Sequence, residues 1–381
     1  MKRYLLFLFL TLPALGWSQN YTKPEQLDKA TYANQDFYEV KNYTKNKTKK
    51  KFAKNIIFLI GDGMGTSQVY AGLVANKGEL YLKTMPVSGY SKTNSSDNLI
   101  TDSAAGATAF SIGEKTYNGA IGVDKNEVPK KTILEMASEK GFSTGLVATC
   151  AITHATPASF IAHQKNRGMQ EEIAADFLKT DIDLIIGGGR KYFDQRKDGR
   201  NLLTEFQDKG YDVIPSMDSL KYTKSKRVVA LIAEDHQQPV ALGRGDMSVQ
   251  ASQYAINKLS ENKKGFFLMI EGSQIDWGGH DNNTSYIVTE MLDFDKTIGE
   301  VLKFAADDGE TLVVVTADHE TGGFSINGGN LSDGVVEGKF TTGGHTGVMV
   351  PVFAYGPKAE LFSGIIENTD IYFKFKEVLG W

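Results

Sequence analysis

The feature that most constrains the fold is a repeated alternation of short apolar segments with longer amphipathic ones. Most of the apolar segments are rich in Val, Ile or Phe without a polar residue at every second position, and they cover residues 55–60, 145–149, 184–186, 228–233, 266–270, 311–316 and 350–355. Strands covered on both faces have this pattern. Amphipathic segments, typical of helices, lie at residues 131–140, 168–178, 247–261 and 286–306. We therefore predict an α/β fold, with a doubly wound, mostly parallel central sheet and helices on both faces.

The first 18 residues have the pattern of a secretory signal peptide. A positively charged start is followed by an apolar run up to Leu15, which is too short to span a bilayer. Cleavage could follow Gly16 or Ser18, and Ser18 is favoured. No cysteine near these positions could carry a lipid. The sequence therefore predicts an exported protein, periplasmic or secreted, with no membrane anchor.

The rest of the chain is predicted to form a polar N-terminal arm, residues 19–54, and a single domain, residues 55–381. Within that domain, the Gly- and Asp-rich residues 327–344 are expected to form a surface loop. The formal net charge of −4 gives no general affinity for nucleic acid. Cys150 is the only cysteine, so the protein has no internal disulfide.

Polar residues follow the apolar segments where strands are expected to end. Asp62, Glu271 and the pair Asp318-His319 each come directly after one such segment, and His154 and Thr156 lie just beyond another. In open α/β sheets, ligands bind beyond the carboxyl ends of the strands. Four strand ends with acidic or imidazole groups therefore predict one site at one edge of the sheet.

The residue types at these positions are those of metal ligands. Asp276 and His280 are four residues apart, a spacing that places both side chains on one face of a helix. Histidine with carboxylate suits zinc, whereas oxygen ligands alone suit magnesium. This rule gives two zinc-like sets and one magnesium-like set: Asp276 with His280 and His345; Asp62 with Asp318 and His319; and Glu271 with Thr156 and Asp62.

Ser103 is the candidate nucleophile. The small residues that follow it predict a tightly packed helix whose N-terminus favours an incoming phosphate. No Gly-x-Ser-x-Gly elbow is present to activate the hydroxyl, but a divalent cation would stabilise its alkoxide. Arg167 could bind two phosphate oxygens while Asp102 holds its guanidinium. The alternative for Ser103 is a helix N-cap, and for Arg167 a surface arginine.

These motifs together resemble those of the alkaline phosphatases, from about residue 55 to residue 381. The resemblance rests on the segments around Asp62, Asp102-Ser103, His154-Ala155-Thr156, Glu271 to Asp276, Asp318-His319 and His345. It implies that Ser103 attacks phosphorus to form a phosphoserine intermediate, which water then hydrolyses. It also implies two Zn²⁺ and one Mg²⁺ on the ligand sets given above, phosphate binding by Arg167, and phosphate monoesters as substrates.

Two active-site positions vary within that family, and this sequence has His154 and Trp277 there. The combination resembles cold-active marine and polar bacterial members. Because Trp277 follows Asp276 directly, its indole is expected at the rim of the phosphate pocket, and we expect both His154 and Trp277 to contribute to substrate binding. The structural alternative for Trp277 is a packed aromatic that supports the helix carrying Asp276. Of the remaining histidines, His236 is predicted to lie at the surface. The resemblance also implies a homodimer, with a monomer left open because the loops are short.

Two other classes of function compete with this interpretation. A phosphodiesterase or sulfatase on the same fold is the alternative within enzymes, but Ser103 lacks the Pro-x-Arg context of sulfatases. Thr156 and Glu271 together favour a monoesterase over a diesterase. A metal-binding protein without activity would need to have lost a catalytic group, and every expected group is present.

Overall fold

A computed structural model describes residues 21–33, 37–45 and 50–381. The predicted signal peptide, residues 1–18, lies outside the described residues. Within the described part of the chain, no helix combines the length and apolarity needed to cross a membrane.

Strands and helices alternate along most of the chain. The strands are β1 (Thr31–Ala33), β2 (Asn55–Gly61), β3 (Val87–Lys92), β4 (Ser143–Ala151), β5 (Leu184–Gly188), β6 (Asp212–Ile214), β7 (Val228–Leu231), β8 (Phe266–Gly272), β9 (Thr311–Thr316), β10 (Glu320–Thr321), β11 (Ser325–Asn330), β12 (Val335–Lys339), β13 (His345–Thr346), β14 (Val350–Tyr355) and β15 (Gly364–Glu367). The α-helices are α1 (Thr66–Ala75), α2 (Ser103–Ile112), α3 (Ile133–Glu139), α4 (Ala155–Ala158), α5 (Gln170–Asp176), α6 (Lys191–Asp194), α7 (Leu202–Asp208), α8 (Met247–Leu259), α9 (Ile275–His280), α10 (Thr284–Asp308) and α11 (Asp370–Leu379).

Ten strands form the central sheet, in the order β15-β3-β14-β9-β2-β8-β4-β5-β7-β6. All neighbouring pairs are parallel except the two that β14 makes, with β3 and with β9. The predicted α/β class with a mostly parallel central sheet is therefore confirmed.

Two apolar cores cover the two faces of this sheet. Strand β2 lies between them, which explains why its sequence does not alternate between apolar and polar residues. All seven of its residues are buried. Ile56 and Phe58 point into the core that contains Phe110 and Phe375, whereas Ile57 and Leu59 point into the core that contains helix α10. Because both faces are covered, no position of β2 needs a polar side chain.

The prediction of a surface loop at residues 327–344 is wrong. Strands β11 and β12 pair there as an antiparallel hairpin, and β1 from the N-terminal arm adds a third strand to it. The glycines and polar residues of this hairpin leave much of it exposed, which is why its sequence resembles that of a loop.

Candidate active site

The polar residues predicted at strand ends lie together at one edge of the central sheet. The four strands that carry them, β9, β2, β8 and β4, are neighbours in that order. Asp62 follows β2, Glu271 lies near the end of β8, Asp318 and His319 follow β9, and His154 follows β4. Parallel strands bring their carboxyl ends to the same edge, so these groups meet at one place.

Asp276, His280 and His345 form the first cluster. The Oδ1 atom of Asp276 lies 3.3 Å from His280 Nε2 and 3.5 Å from His345 Nε2. The other ring nitrogens are hydrogen-bonded to backbone carbonyls, His280 Nδ1 to Gly343 at 2.7 Å and His345 Nδ1 to Thr101 at 2.8 Å. These contacts direct both Nε2 atoms towards the carboxylate, as in metal sites with oriented imidazoles.

Asp62, Asp318 and His319 form the second cluster, directly beside Ser103. The Nε2 atom of His319 lies 3.3 Å from Asp318 Oδ2, 3.5 Å from Asp62 Oδ1 and 3.2 Å from Ser103 Oγ. The rings of His319 and His345 stack with their centres 3.5 Å apart, so the two clusters adjoin. A metal ion held by the second cluster would therefore lie close to the Oγ atom of Ser103, the candidate nucleophile.

The carboxylates of these clusters are suited to cations. Burial, together with neighbouring carboxylates, raises the pKa of Asp62 well above its usual range and that of Asp318 to about 8. Neither oxygen of Asp62 has a hydrogen-bond partner among the described residues, and the same is true of Asp318 Oδ2 and Asp276 Oδ2. Buried anionic oxygens without partners are costly, and divalent cations would satisfy them. The donor sets in the structure thus fit metal ions.

The third cluster lies around Glu271. Thr156 Oγ1 and Glu271 Oε1 are buried and lack hydrogen-bond partners among the described residues, which suits an oxygen-binding cation. Burial raises the pKa of Glu271 to about 7. The potential ligand atoms of Cys150, His154 and Glu271 also lie within 4.8 Å of one another. No motif in the sequence pointed to Cys150, whose Sγ is 3.2 Å from Glu271 Oε2.

Ser103 is the first residue of helix α2, and Asp102 is its N-cap. Asp102 Oδ1 accepts a hydrogen bond from the backbone N–H of Ala105 at 3.0 Å. The helix is buried along its whole length and packs tightly against the second cluster. A Cβ on Gly106 would lie only 3.1 Å from Asp318 Cβ, which explains the glycine at this position.

Arg167 is held by two groups at the edge of the same site. It donates from one terminal nitrogen to Asp102 Oδ2 at 3.0 Å and from the other to His154 Nε2 at 3.1 Å. The carboxylate of Asp102 therefore links the helix N-terminus to the guanidinium. Arg167 lines a cavity of about 790 Å³, together with Tyr21, Lys23, Asp102, Asn118, Gly119, His154, Asn166, Gly168, Gln170, Lys191, Tyr192, Asp235, His236, His280, Gly343 and His345.

Trp277 lies behind this cavity, and it is not among the residues that line it. Its side chain is fully buried. The indole stacks on Tyr21 with ring centres 4.8 Å apart and meets the rings of His236 at 4.8 Å and His154 at 6.3 Å edge to face. Trp277 is therefore packed inside the protein and does not face the substrate as predicted, because aromatic rings on both sides separate its indole from the cavity.

Besides Cys150, four residues at the site carry no clear sequence signal. His236, predicted at the surface, lines the cavity instead, and its Nδ1 accepts from the backbone N–H of Ala151 at 3.0 Å. Thr321 Oγ1 donates to Asp276 Oδ1 and lies 3.2 Å from His319 Nδ1. Tyr21 and Lys23 reach the cavity from the N-terminal arm. Only the folded chain brings these residues close to the clusters.

Comparison with known proteins gives consistent matches. The family model described as alkaline phosphatase matches residues 53–339 and 335–380. Alkaline phosphatase 4 of Bacillus subtilis (strain 168) is 36% identical, over 89% of this chain and 91% of its own. The structure of alkaline phosphatase from the Antarctic bacterium TAB5 is 44% identical, covers 87% of this chain and 99% of its own, and has a TM-score of 0.84. The structure of a mutant of that enzyme, with Mg bound in its M3 site, is 43% identical, also covers 87% of this chain and 99% of its own, and has a TM-score of 0.82.

Proposed function

Because the chain belongs to the alkaline phosphatase family, we propose that Ser103 is the nucleophile of this enzyme. The enzyme hydrolyses phosphate monoesters to an alcohol and inorganic phosphate with divalent metal ions, through the phosphoserine intermediate general to the family. The observation that carries the assignment is the position of Ser103 Oγ, 3.2 Å from His319 Nε2 at the N-terminus of helix α2.

We propose that the three clusters hold two Zn²⁺ and one Mg²⁺. Asp276, His280 and His345 would hold one zinc ion, and Asp62, Asp318 and His319 the other. Asp62, Thr156 and Glu271 would hold magnesium, with His154 beside them. The imidazole ligands of the first two clusters and the oxygen ligands of the third support this assignment. When bound, such cations lower the pKa of hydroxyl and water groups and offset negative charge.

Substrate binding is assigned to Arg167, Asp102 and the start of helix α2. The planar guanidinium offers two parallel donors to phosphate oxygens, and the ion pair with Asp102 fixes its plane. His154 accepts from the other terminal nitrogen, so it orients Arg167 further. The backbone N–H groups at the helix start favour the anion.

The reaction then proceeds in two displacements at phosphorus. Ser103 Oγ gives its proton to water and forms a bond to phosphorus, and the bond to the alcohol oxygen breaks. The alcohol oxygen takes up a proton from water and leaves. A water molecule then attacks the phosphoserine, the Ser103 Oγ–P bond breaks, Ser103 Oγ takes up a proton, and inorganic phosphate is released. Arg167 holds the same phosphate oxygens through both displacements. The phosphoryl group therefore keeps its orientation while its bond passes from the alcohol oxygen to Ser103 Oγ and then to the oxygen of water.

Export and assembly remain part of the proposal. Residues 1–18 support an exported enzyme, periplasmic or secreted. The family resemblance supports a homodimer, with a monomer as the alternative.

Ser103→Ala tests the nucleophile directly. We expect turnover to fall by at least ~10³-fold while metal content stays unchanged, since the hydroxyl is removed from a preorganised site. Ser111→Ala is the matched control, because Ser111 is buried in the same helix but its Oγ bonds to backbone carbonyls of Thr108 and Ser159. Equal activity in Ser103→Ala and Ser111→Ala would contradict the assignment.

A further inference from the structure

The N-terminal segment, residues 21–29, contributes two residues to the wall of the cavity. Tyr21 and Lys23 line the cavity together with Arg167 and His154. The match to the alkaline phosphatase family begins only at residue 53. This part of the wall therefore lies outside the region that the family model describes.

The segment is fixed at both of its ends. Tyr21 stacks on Trp277, and its hydroxyl donates to the carbonyl oxygen of Trp277 at 3.3 Å. At the other end, the carbonyl of Lys29 accepts from the backbone N–H of Thr284 at 2.8 Å, just before strand β1 joins the hairpin. Lys23 therefore has a defined backbone position on the rim of the cavity.

Lys23 carries positive charge that its partner does not fully compensate. The Oδ1 atom of Asp281 lies 3.1 Å from the Nζ atoms of both Lys23 and Lys29, so two cations share one carboxylate. Both lysine side chains are about half exposed, at 45% and 47%, whereas that of Asp281 is 5% exposed.

The other lysine and arginine side chains that line the cavity among the described residues each have a carboxylate of their own. Arg167 pairs with Asp102, and Lys191 pairs with Asp235. Only Lys23 shares its carboxylate with a further lysine. The unbalanced positive charge of the rim therefore lies on the N-terminal segment.

A cavity of about 790 Å³ is far larger than a phosphate group and has room for the alcohol part of a substrate. We propose that Lys23 binds a second anionic group on that alcohol part, so that the enzyme favours phosphate monoesters whose alcohol carries a carboxylate or another phosphate. This inference rests on the proposed function, because Arg167 must first hold the scissile phosphate. Lys23 is then a specificity-determining residue supplied by the N-terminal segment.

The competing explanation is that Lys23 merely tethers the segment to Asp281. Lys29 makes the same contact at the same distance and is equally exposed, but it does not line the cavity. A tether would make the two lysines equivalent, whereas a substrate contact would distinguish them. Lys29→Ala is therefore the matched control for Lys23→Ala.

The test compares kcat/KM for phenyl phosphate and for 4-carboxyphenyl phosphate in the wild type and both variants. Lys23→Ala should reduce the ratio of carboxylated to plain substrate about three- to tenfold, the scale of one partly exposed charge pair. Lys29→Ala should reduce this ratio less than Lys23→Ala does, because it removes one of the two charges that share Asp281 but keeps the ammonium that lines the cavity. Raising the salt from about 0.01 M to about 1 M should reduce the wild-type ratio more than that of Lys23→Ala, because salt screens exposed charges.

Lys23→Gln, which keeps most of the side-chain length, provides a second variant if Lys23→Ala folds poorly. Equal changes in the ratio for the Lys23 and Lys29 variants, or no change in either, would overturn the proposal. Failure of the wild type to hydrolyse both substrates would instead contradict the proposed function, so the two failures are distinguishable.

Discussion

Substitution of Trp277 separates a packing role from a substrate-binding role. The indole is fully buried between Tyr21 and His236, and its Nε1 has no hydrogen-bond partner among the described residues. Trp277→Lys places a flexible cation in this aromatic pocket, and Trp277→Phe keeps an aromatic ring there. The structure predicts that both variants lose stability and that the lysine variant loses much more.

The size of the effect follows from the burial. Truncating a buried tryptophan costs about 3–5 kcal/mol of unfolding free energy. The lysine stem recovers part of the apolar contact, but a buried ammonium adds a desolvation cost, so we expect a loss of about 3–5 kcal/mol for Trp277→Lys. Phenylalanine keeps the stack on Tyr21 and leaves a smaller gap, which gives about 1–2 kcal/mol.

The assay measures unfolding in urea, with and without bound metals, next to the inhibition constant of inorganic phosphate. Stability should fall in the order wild type, Trp277→Phe, Trp277→Lys, and the inhibition constant of the folded fraction should stay within about threefold of the wild type. A lysine variant of unchanged stability that binds phosphate more tightly would refute the packing role. It would show that the side chain at this position reaches the cavity.

Three further predictions concern metals and charge. Chelation should abolish hydrolysis, and zinc with magnesium should restore it while magnesium alone does not, as metal analysis beside rate measurements will show. Thr321→Val removes the donor to Asp276 Oδ1 and should weaken zinc affinity about 10–100-fold in a competition titration. Burial lowers the pKa of His163, but its contact with Glu135 at 2.9 Å outweighs this and raises it above 6.5. A raised histidine pKa stabilises the fold below pH 6.5 and loses this effect as pH rises through the folded-state pKa. The stability difference between wild type and His163→Gln should therefore be largest below pH 6.5 and shrink as the pH is raised above it.

The parts of the fold that the sequence predicts are those controlled by local pattern. Strand β2 is apolar at every core position because both of its faces are covered, and that composition is visible in the chain itself. Asp62 and Glu271 mark strand ends, so the edge at which they meet follows from parallel pairing alone. The site could be located in this way before any distance was known.

The errors arise where long-range contacts decide the environment. Trp277 is buried by Tyr21, a residue 256 positions away whose polar surroundings give no sign that it covers the site. His236 lies in the polar segment from Glu234 to Gln238, and nothing in that segment shows that its ring packs against that same indole. The hairpin of β11 and β12 resembles a loop because its glycines and exposed positions hide its pairing with β1. No local periodicity encodes such contacts.

In the proposed reaction, Ser103 carries the phosphoryl group during turnover. The most direct measurement is acid quenching of the metal-loaded enzyme during hydrolysis of phenyl phosphate, followed by peptide mass analysis. We expect one phosphoryl group on Ser103 in the wild type and in Ser111→Ala, and none in Ser103→Ala. A phosphoryl group on another residue of the active wild type, or persistence of the label in Ser103→Ala, would contradict it.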